Sequence, residues 1–233
     1  MQSLTIRAHR VRSLGYCLVI LLIICCSMTN PKPTPEPRPP IIQQFLTDPT
    51  CKPPCWETIT PGETDIFDAA DILSNTPGII LDHGPRDQTG RGKEICWSFD
   101  ETDGVGRAEA TTQSDSISRI WLYFGSEQNV TVEEIIAYYG EPNYVLVRTC
   151  YSIFLSPTKC TIHLIYEMGM ALAYVGIARG RMNNSRIDVL TDTQIDSILL
   201  YPAGIQGYLD TFVGNQPNVV NELIPWRGYG EYP

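Results

Sequence analysis

Ile117-Ser-Arg-Ile120-Trp-Leu122-Tyr123 is written a second time, further along the chain, as Ile195-Asp-Ser-Ile198-Leu-Leu200-Tyr201. The shared pattern, I-x-x-I-x-L-Y, is rich in β-branched and aromatic residues and reads as a strand in both places. In extended backbone alternate side chains point to opposite faces. If Ile120, Leu122 and Phe124 face the core, then Arg119, Trp121 and Tyr123 face the other way.

Working outward, each copy closes a longer matching block. Upstream of the first, Ile66, Ala69, Ala70 and Leu73 fall at i, i+3, i+4 and i+7; upstream of the second, Val132, Ile135, Ile136 and Tyr139 do the same. That spacing lays one apolar stripe along a short helix. Thr131 and Glu134 add a capping box, and Pro77-Gly78 and Gly140-Glu-Pro142 end the two helices. Four β-like runs follow each helix: Ile79–Asp82, Glu94–Phe99, Val105–Thr112 and Ile117–Phe124, then Tyr144–Cys150, Cys160–Tyr166, Met170–Ile177 and Gln194–Tyr201. A third start repeats the stripe at Ile205, Tyr208, Leu209 and Phe212, with Gly214–Val220 echoing Gly140–Val145.

The expectation is an α+β protein made of tandem repeats of a short helix followed by a four-stranded antiparallel sheet. The units share one continuous sheet with helices on one face. Residues 51–126 are the first repeat, 127–201 the second, and 202–233 a truncated third of helix plus strand with an aromatic tail. That tail, with Trp226, Tyr229 and Tyr232, is expected along the surface.

The N-terminal end sets the compartment. Arg7, Arg10 and Arg12 precede the apolar run Leu14–Met28, so residues 1–28 read as a signal peptide or signal anchor. The run falls short of the about 20 apolar residues that a spanning helix wants. Ile23-Ile24-Cys25-Cys26 is lipobox-like, with Cys25 in the place of the usual small residue, which makes Cys26 the lipidation candidate and an uncleaved anchor the alternative. Residues 29–50 form a tether whose Asn30–Pro40 stretch holds six prolines, an extended and solvated spacer. The chain is therefore expected in the cell envelope, on the extracytoplasmic face of a membrane.

Net charge is −9; with three arginines and no acid in the leader, the remainder holds 14 Lys+Arg against 26 Asp+Glu, or −12. An acidic surface repels phosphate backbones, so nucleic acid is not an expected partner. Outside the cytoplasm thiols become disulfides. Cys150 and Cys160 flank the neck of a hairpin, and Cys51-Lys-Pro-Pro-Cys55 closes a small loop. Cys96 is then left over, or pairs with Cys51 or Cys55; sequence leaves that connectivity open.

Catalytic constellations are sparse. The chain has no G-x-S-x-G, no Walker A loop and no H-E-x-x-H. His83 sits in a turn composition, Leu81-Asp82-His83-Gly84-Pro85, and His163 points away from whichever face Ile162 and Leu164 bury. Cys51 and Cys55 are spaced C-x-x-x-C rather than C-x-x-C, so a thiol-redox or metal protein is the weaker alternative, and an extracytoplasmic hydrolase the runner-up. No cofactor and no metal are expected.

Gly62-Glu63-Thr64 with Ala69 and Leu73, and Thr131–Pro142, resemble the helix-to-strand step of BamE-type outer-membrane lipoproteins. The tandem layout is similar to the β-lactamase inhibitory protein, and Cys51–Thr64 resembles the domain opening of uncharacterised bacterial lipoproteins. These resemblances imply a binding or scaffolding protein rather than an enzyme. The expected function is a membrane-anchored protein that binds a protein or glycan partner through an open sheet face. Arg119, Trp121 and Tyr123 are its candidate residues, of types that anchor interfaces. That face is either free or covered by another segment, such as the aromatic tail.

Overall fold

The helix stripes and their caps fold as their chemistry requires. The Asp65 carboxylate accepts from the Phe67 N–H at 2.8 Å and starts α1 (Ile66–Asn75), which buries Ile66, Ala69, Ala70 and Leu73. The Thr131–Glu134 capping box starts α2 (Val132–Tyr139), which Gly140 ends at φ 81°. The computed structural model describes residues 45–46, 51–88, 92–99, 104–111, 113–124, 130–151, 158–179, 186–213 and 222–233. Cys26, the leader, most of the tether and the Gly214–Val220 echo lie outside the described residues. No described helix is long and apolar enough to cross a membrane.

The strands are β1 (Ile79–Gln88), β2 (Gly92–Phe99), β3 (Val105–Ala110) and β4 (Ile117–Tyr123) after α1. After α2 come β5 (Tyr144–Tyr151), β6 (Lys159–Tyr166), β7 (Met170–Arg179), β8 (Arg186–Val189) and β9 (Ser197–Leu200). They belong to one antiparallel sheet in the order β1-β2-β3-β4-β9-β7-β6-β5-β10, where β10 is Ile224–Pro225. The fold is α+β, with the two I-x-x-I-x-L-Y strands side by side at its centre. Ile120 pairs with Leu200 and Leu122 with Ile198.

The N-termini of α1 and α2 are held by matching hydrogen bonds. Ile66 N–H donates to Asp115 O and Ile117 N–H to Thr64 O, both at 2.8 Å. Val132 N–H donates to Thr193 O at 2.9 Å and Ile195 N–H to Val130 O at 3.0 Å. Each helix start is thus clipped to the strand that closes its block.

The larger core lies between this sheet face and α1 and α2. Trp97 is fully buried and stacks on Trp56, with ring centroids 5.3 Å apart and planes 8° apart. The Cys51–Cys55 disulfide closes the loop that delivers Trp56, whose backbone pairs with Ile59. The same loop sets Pro54 against Gly169, where a Cβ would come within 2.8 Å of Pro54 Cβ and 2.5 Å of Tyr201 O. C-K-P-P-C-W is therefore a packing device that seats a tryptophan on the core. Phe45, inside the stretch read as tether, also docks: it is buried against Tyr139, whose hydroxyl donates to its carbonyl at 3.0 Å.

Several expectations need correction. The first strand does not end at Asp82. It runs to Gln88 through His83, Gly84 and Pro85, because register shifts on either side of His83 let an edge strand accommodate a proline. Strand β8 has no counterpart in the sequence pattern, and it changes the fate of the tail. β11 (Gly230–Tyr232) pairs with β8, and Tyr232 is buried in the core rather than lying on the surface.

Helices are not confined to one face either. Ile205–Tyr208 (α3), continued by a π-helical turn at Leu209–Val213, packs on the opposite face. There Tyr208 and Leu209 join a second core of Leu146, Ile165, Ala171, Ala173, Leu199 and Tyr201. The physical reason is that β5, β6, β7 and β9 are apolar on both sides and need a cover on each.

Candidate functional site

The outer face, away from α1 and α2, changes character at the junction of β4 and β9. On the β5–β9 side its residues Leu146, His163, Ile165, Ala171, Ala173 and Leu199 are buried under Ile205–Val213. On the β1–β4 side His83, Cys96, Ser98, Arg107, Glu109, Arg119, Trp121 and Tyr123 remain half-buried. The step between the two halves forms a cavity of about 450 Å³, lined by Arg107, Glu109, Arg119, Trp121, Tyr123, Arg148, Thr161, His163 and Phe212.

The three residues that the strand pattern singled out all reach this cavity. Trp121 packs against Tyr123 at 5.4 Å and against Phe212 at 5.7 Å between ring centroids. Burial pushes the Tyr123 phenol up to about 12, so it is a neutral donor at physiological pH. Arg119 donates through Nε to Glu109 at 2.9 Å, and through Nη1 to the Thr211 carbonyl at 2.8 Å. The face is covered on one side by Ile205–Val213, not by the aromatic tail, and is open on the other.

The floor is a charge ladder. Arg107 lies 2.5 Å from both Glu94 and Glu109, Arg119 holds Glu109, and Gln88 donates to the other Glu94 oxygen at 2.6 Å. Cross-strand register explains it: Glu94 pairs with Glu109, Glu109 with Arg119, and Cys96 with Arg107. Arg148 differs. Its Nη1 donates to the Phe212 carbonyl at 2.9 Å, and among the described residues no carboxylate pairs with it.

His163 stands beside it, buried, with Nδ1 2.6 Å from the Tyr208 hydroxyl. Burial, with the Arg148 charge adding to it, pushes the imidazole down to about 3. The expectation that His163 points away from Ile162 and Leu164 holds. Its cover, Tyr208, comes from 45 residues further on.

His83, Glu94 and Cys96 bring one ligand-type atom each within 4.8 Å of one another. Both Glu94 oxygens, however, are engaged by Gln88 and Arg107, and the guanidinium beside them opposes a cation. Burial, then the Glu94 charge, pushes the Cys96 thiol up to about 11, which keeps it protonated. Cys51 and Cys55 are bonded to each other, as are Cys150 and Cys160, and Cys96 is free.

No protein-family model, no curated protein and no solved structure matches the chain. Among the described residues the cavity offers fixed cations, hydroxyls and aromatic rings, and one histidine. Glu109, the carboxylate among the described lining residues, is bound by two arginines. Such an arrangement can hold a ligand through cations, hydroxyls and ring faces.

Arg148, Thr161 and Phe212 carry no signal in the sequence that marks them for a site. Phe212 is visible there only as part of a helical stripe. Arg148 alternates with apolar residues along β5 as any exposed strand arginine would.

Proposed function

We propose that the chain is a membrane-anchored extracytoplasmic binding protein that holds its partner, a protein or a glycan, against the open half of the outer sheet face. The observation that carries this reading is the step at the β4–β9 junction. One half of the face is covered by the chain itself, and the other presents Arg119, Trp121 and Tyr123 around a cavity. Aromatic residues and arginine set around a partly desolvated pocket are the usual anchors of recognition.

Two helix-plus-sheet repeats, 51–126 and 127–201, account for this architecture on the same reading. The matched clips at the two helix starts support it, as does the Ile120–Leu200 and Leu122–Ile198 pairing. Two copies of I-x-x-I-x-L-Y related by a two-fold axis would pair in that register.

Replacing Trp121 and Tyr123 together with alanine is expected to keep a single cooperative thermal transition, lowered because both rings are half-buried and Trp121 packs on Phe212. Affinity for a partner cross-linked in native membranes should fall at least tenfold, about 1.4 kcal/mol. Undiminished affinity would sink the reading. The anchor has its own test, mass spectrometry of the protein extracted from membranes. A diacylglyceryl group on Cys26 is the expected N-terminus, and an intact leader would replace lipidation by a signal anchor.

A further inference from the structure

Three arginines line the cavity, and among the described residues two carboxylates, Glu94 and Glu109, pair with them. Glu109 is held by Arg107 and Arg119, and Glu94 by Arg107, so that both of these arginines are neutralised where they stand. Among the described residues, Arg148 is the arginine of this cavity that no carboxylate pairs with. It is half-buried, donates through Nη1 to the Phe212 carbonyl, hydrogen-bonds the Tyr208 side chain, and lines a cavity that also holds Thr161, Tyr123 and Trp121.

Removing a guanidinium from water without a counter-charge is costly, and the neighbouring His163, buried and neutral, adds neither an anion nor a second cation. In a chain of net charge −9 this spot is locally positive. A walled cleft of one sign concentrates ions of the other.

The walls narrow the ligand further. A planar guanidinium matches a carboxylate through two parallel hydrogen bonds. The Trp121 and Tyr123 rings offer flat apolar surface beside it, while the Thr161 hydroxyl, the Tyr123 phenol and the Glu109 oxygens offer polar contacts to a hydroxylated body. Resting on the binding reading above, we propose that the cavity recognises an acidic sugar, a hexuronate unit. Its carboxylate pairs with Arg148, and its ring lies against Trp121 and Tyr123. A cavity of about 450 Å³ accommodates one such unit with room for a neighbour.

The test is titration of the intact exported domain with sodium glucuronate, followed by tryptophan fluorescence and by chemical-shift changes at Trp121. Glucose serves as the neutral match and benzoate as the non-sugar carboxylate. Saturable glucuronate binding, at least tenfold tighter than either control, is expected. Arg148→Gln should abolish that preference, and Arg148→Lys should retain part of it.

Equal binding of glucose removes the role of Arg148. Equal binding of benzoate removes the sugar. Absence of glucuronate binding overturns the proposal outright. Because the three ligands are compared on the wild-type protein, they decide the question even if Arg148→Gln fails to fold for want of its bond to Phe212. Loss of the cross-linked partner in the Trp121/Tyr123 variant, without glucuronate binding, would keep the binding face and discard the acidic sugar.

Discussion

Replacing Gly106 with alanine is expected to destabilise the fold by about 3 kcal/mol, a larger effect than any single surface change proposed above. A Cβ built on Gly106 would fall 1.9 Å from Trp97 Cε2, 2.1 Å from its Nε1 and 2.2 Å from its Cζ2. Gly106 and Trp97 are cross-strand partners, and the indole lies flat over the glycine backbone. The ring has nowhere to retreat, because Trp56 stacks on it and Phe99 abuts Trp56 edge-on, at 6.2 Å between centroids. Added methyl groups in tight cores cost roughly 1–3 kcal/mol. Here the added atom also dislodges a large buried side chain, whose loss costs roughly 3–5 kcal/mol.

The melting temperature should fall by roughly 6–12 °C, at about 2–4 °C per kcal/mol for a domain of this size. Trp97→Leu in the same chain should recover part of the loss, giving a coupling of opposite sign in a double-mutant cycle. A drop of under 2 °C, or strictly additive effects, would mean that the indole does not rest on Gly106.

Gly106 also illustrates how much of the fold is legible in the sequence. There it belongs to a bare G-x-G in an acidic hairpin, and nothing local announces a tryptophan from the neighbouring strand. The legible features all have local carriers. The helices announce themselves by stripe and cap, at Ile66–Leu73 and at Thr131 with Glu134. The central strands do so by alternation, and the Cys150–Cys160 bridge by its place at a hairpin neck, where the two residues are register partners.

What escapes is long-range. The pairing of β8 with β11, which buries Tyr232, joins segments with no shared local signal. The cavity draws on the same kind of contact. Arg148 reaches Phe212 across 64 residues and Arg119 reaches Thr211 across 92. Alternation along β4 correctly places Arg119, Trp121 and Tyr123 on one face. It does not say that another segment walls that face on one side and so turns a surface into a pocket.

His163 makes the protein acid-sensitive through the same buried contact. In the unfolded chain an exposed histidine titrates near 6.5, whereas in the fold burial and Arg148 hold the imidazole down to about 3. The depressed folded value means that the unfolded state binds the extra proton. Stability is therefore fully present above about pH 6.5 and is lost as pH falls towards 3, at up to about 1.4 kcal/mol per pH unit. By pH 4.5 the loss attributable to this one side chain should reach about 3 kcal/mol.

Carboxylates titrate in the same range, so the measurement is a difference. Denaturant unfolding of wild type and His163→Gln is compared at pH 7.5 and pH 4.5. The variant, which keeps a hydrogen-bonding group opposite the Tyr208 hydroxyl but cannot take up the proton, should lose about 3 kcal/mol less between the two pH values. Parallel losses would show that His163 is protonated or exposed in the fold. A protonated His163 would then set a second cation beside Arg148 and make the cavity more positive, not less.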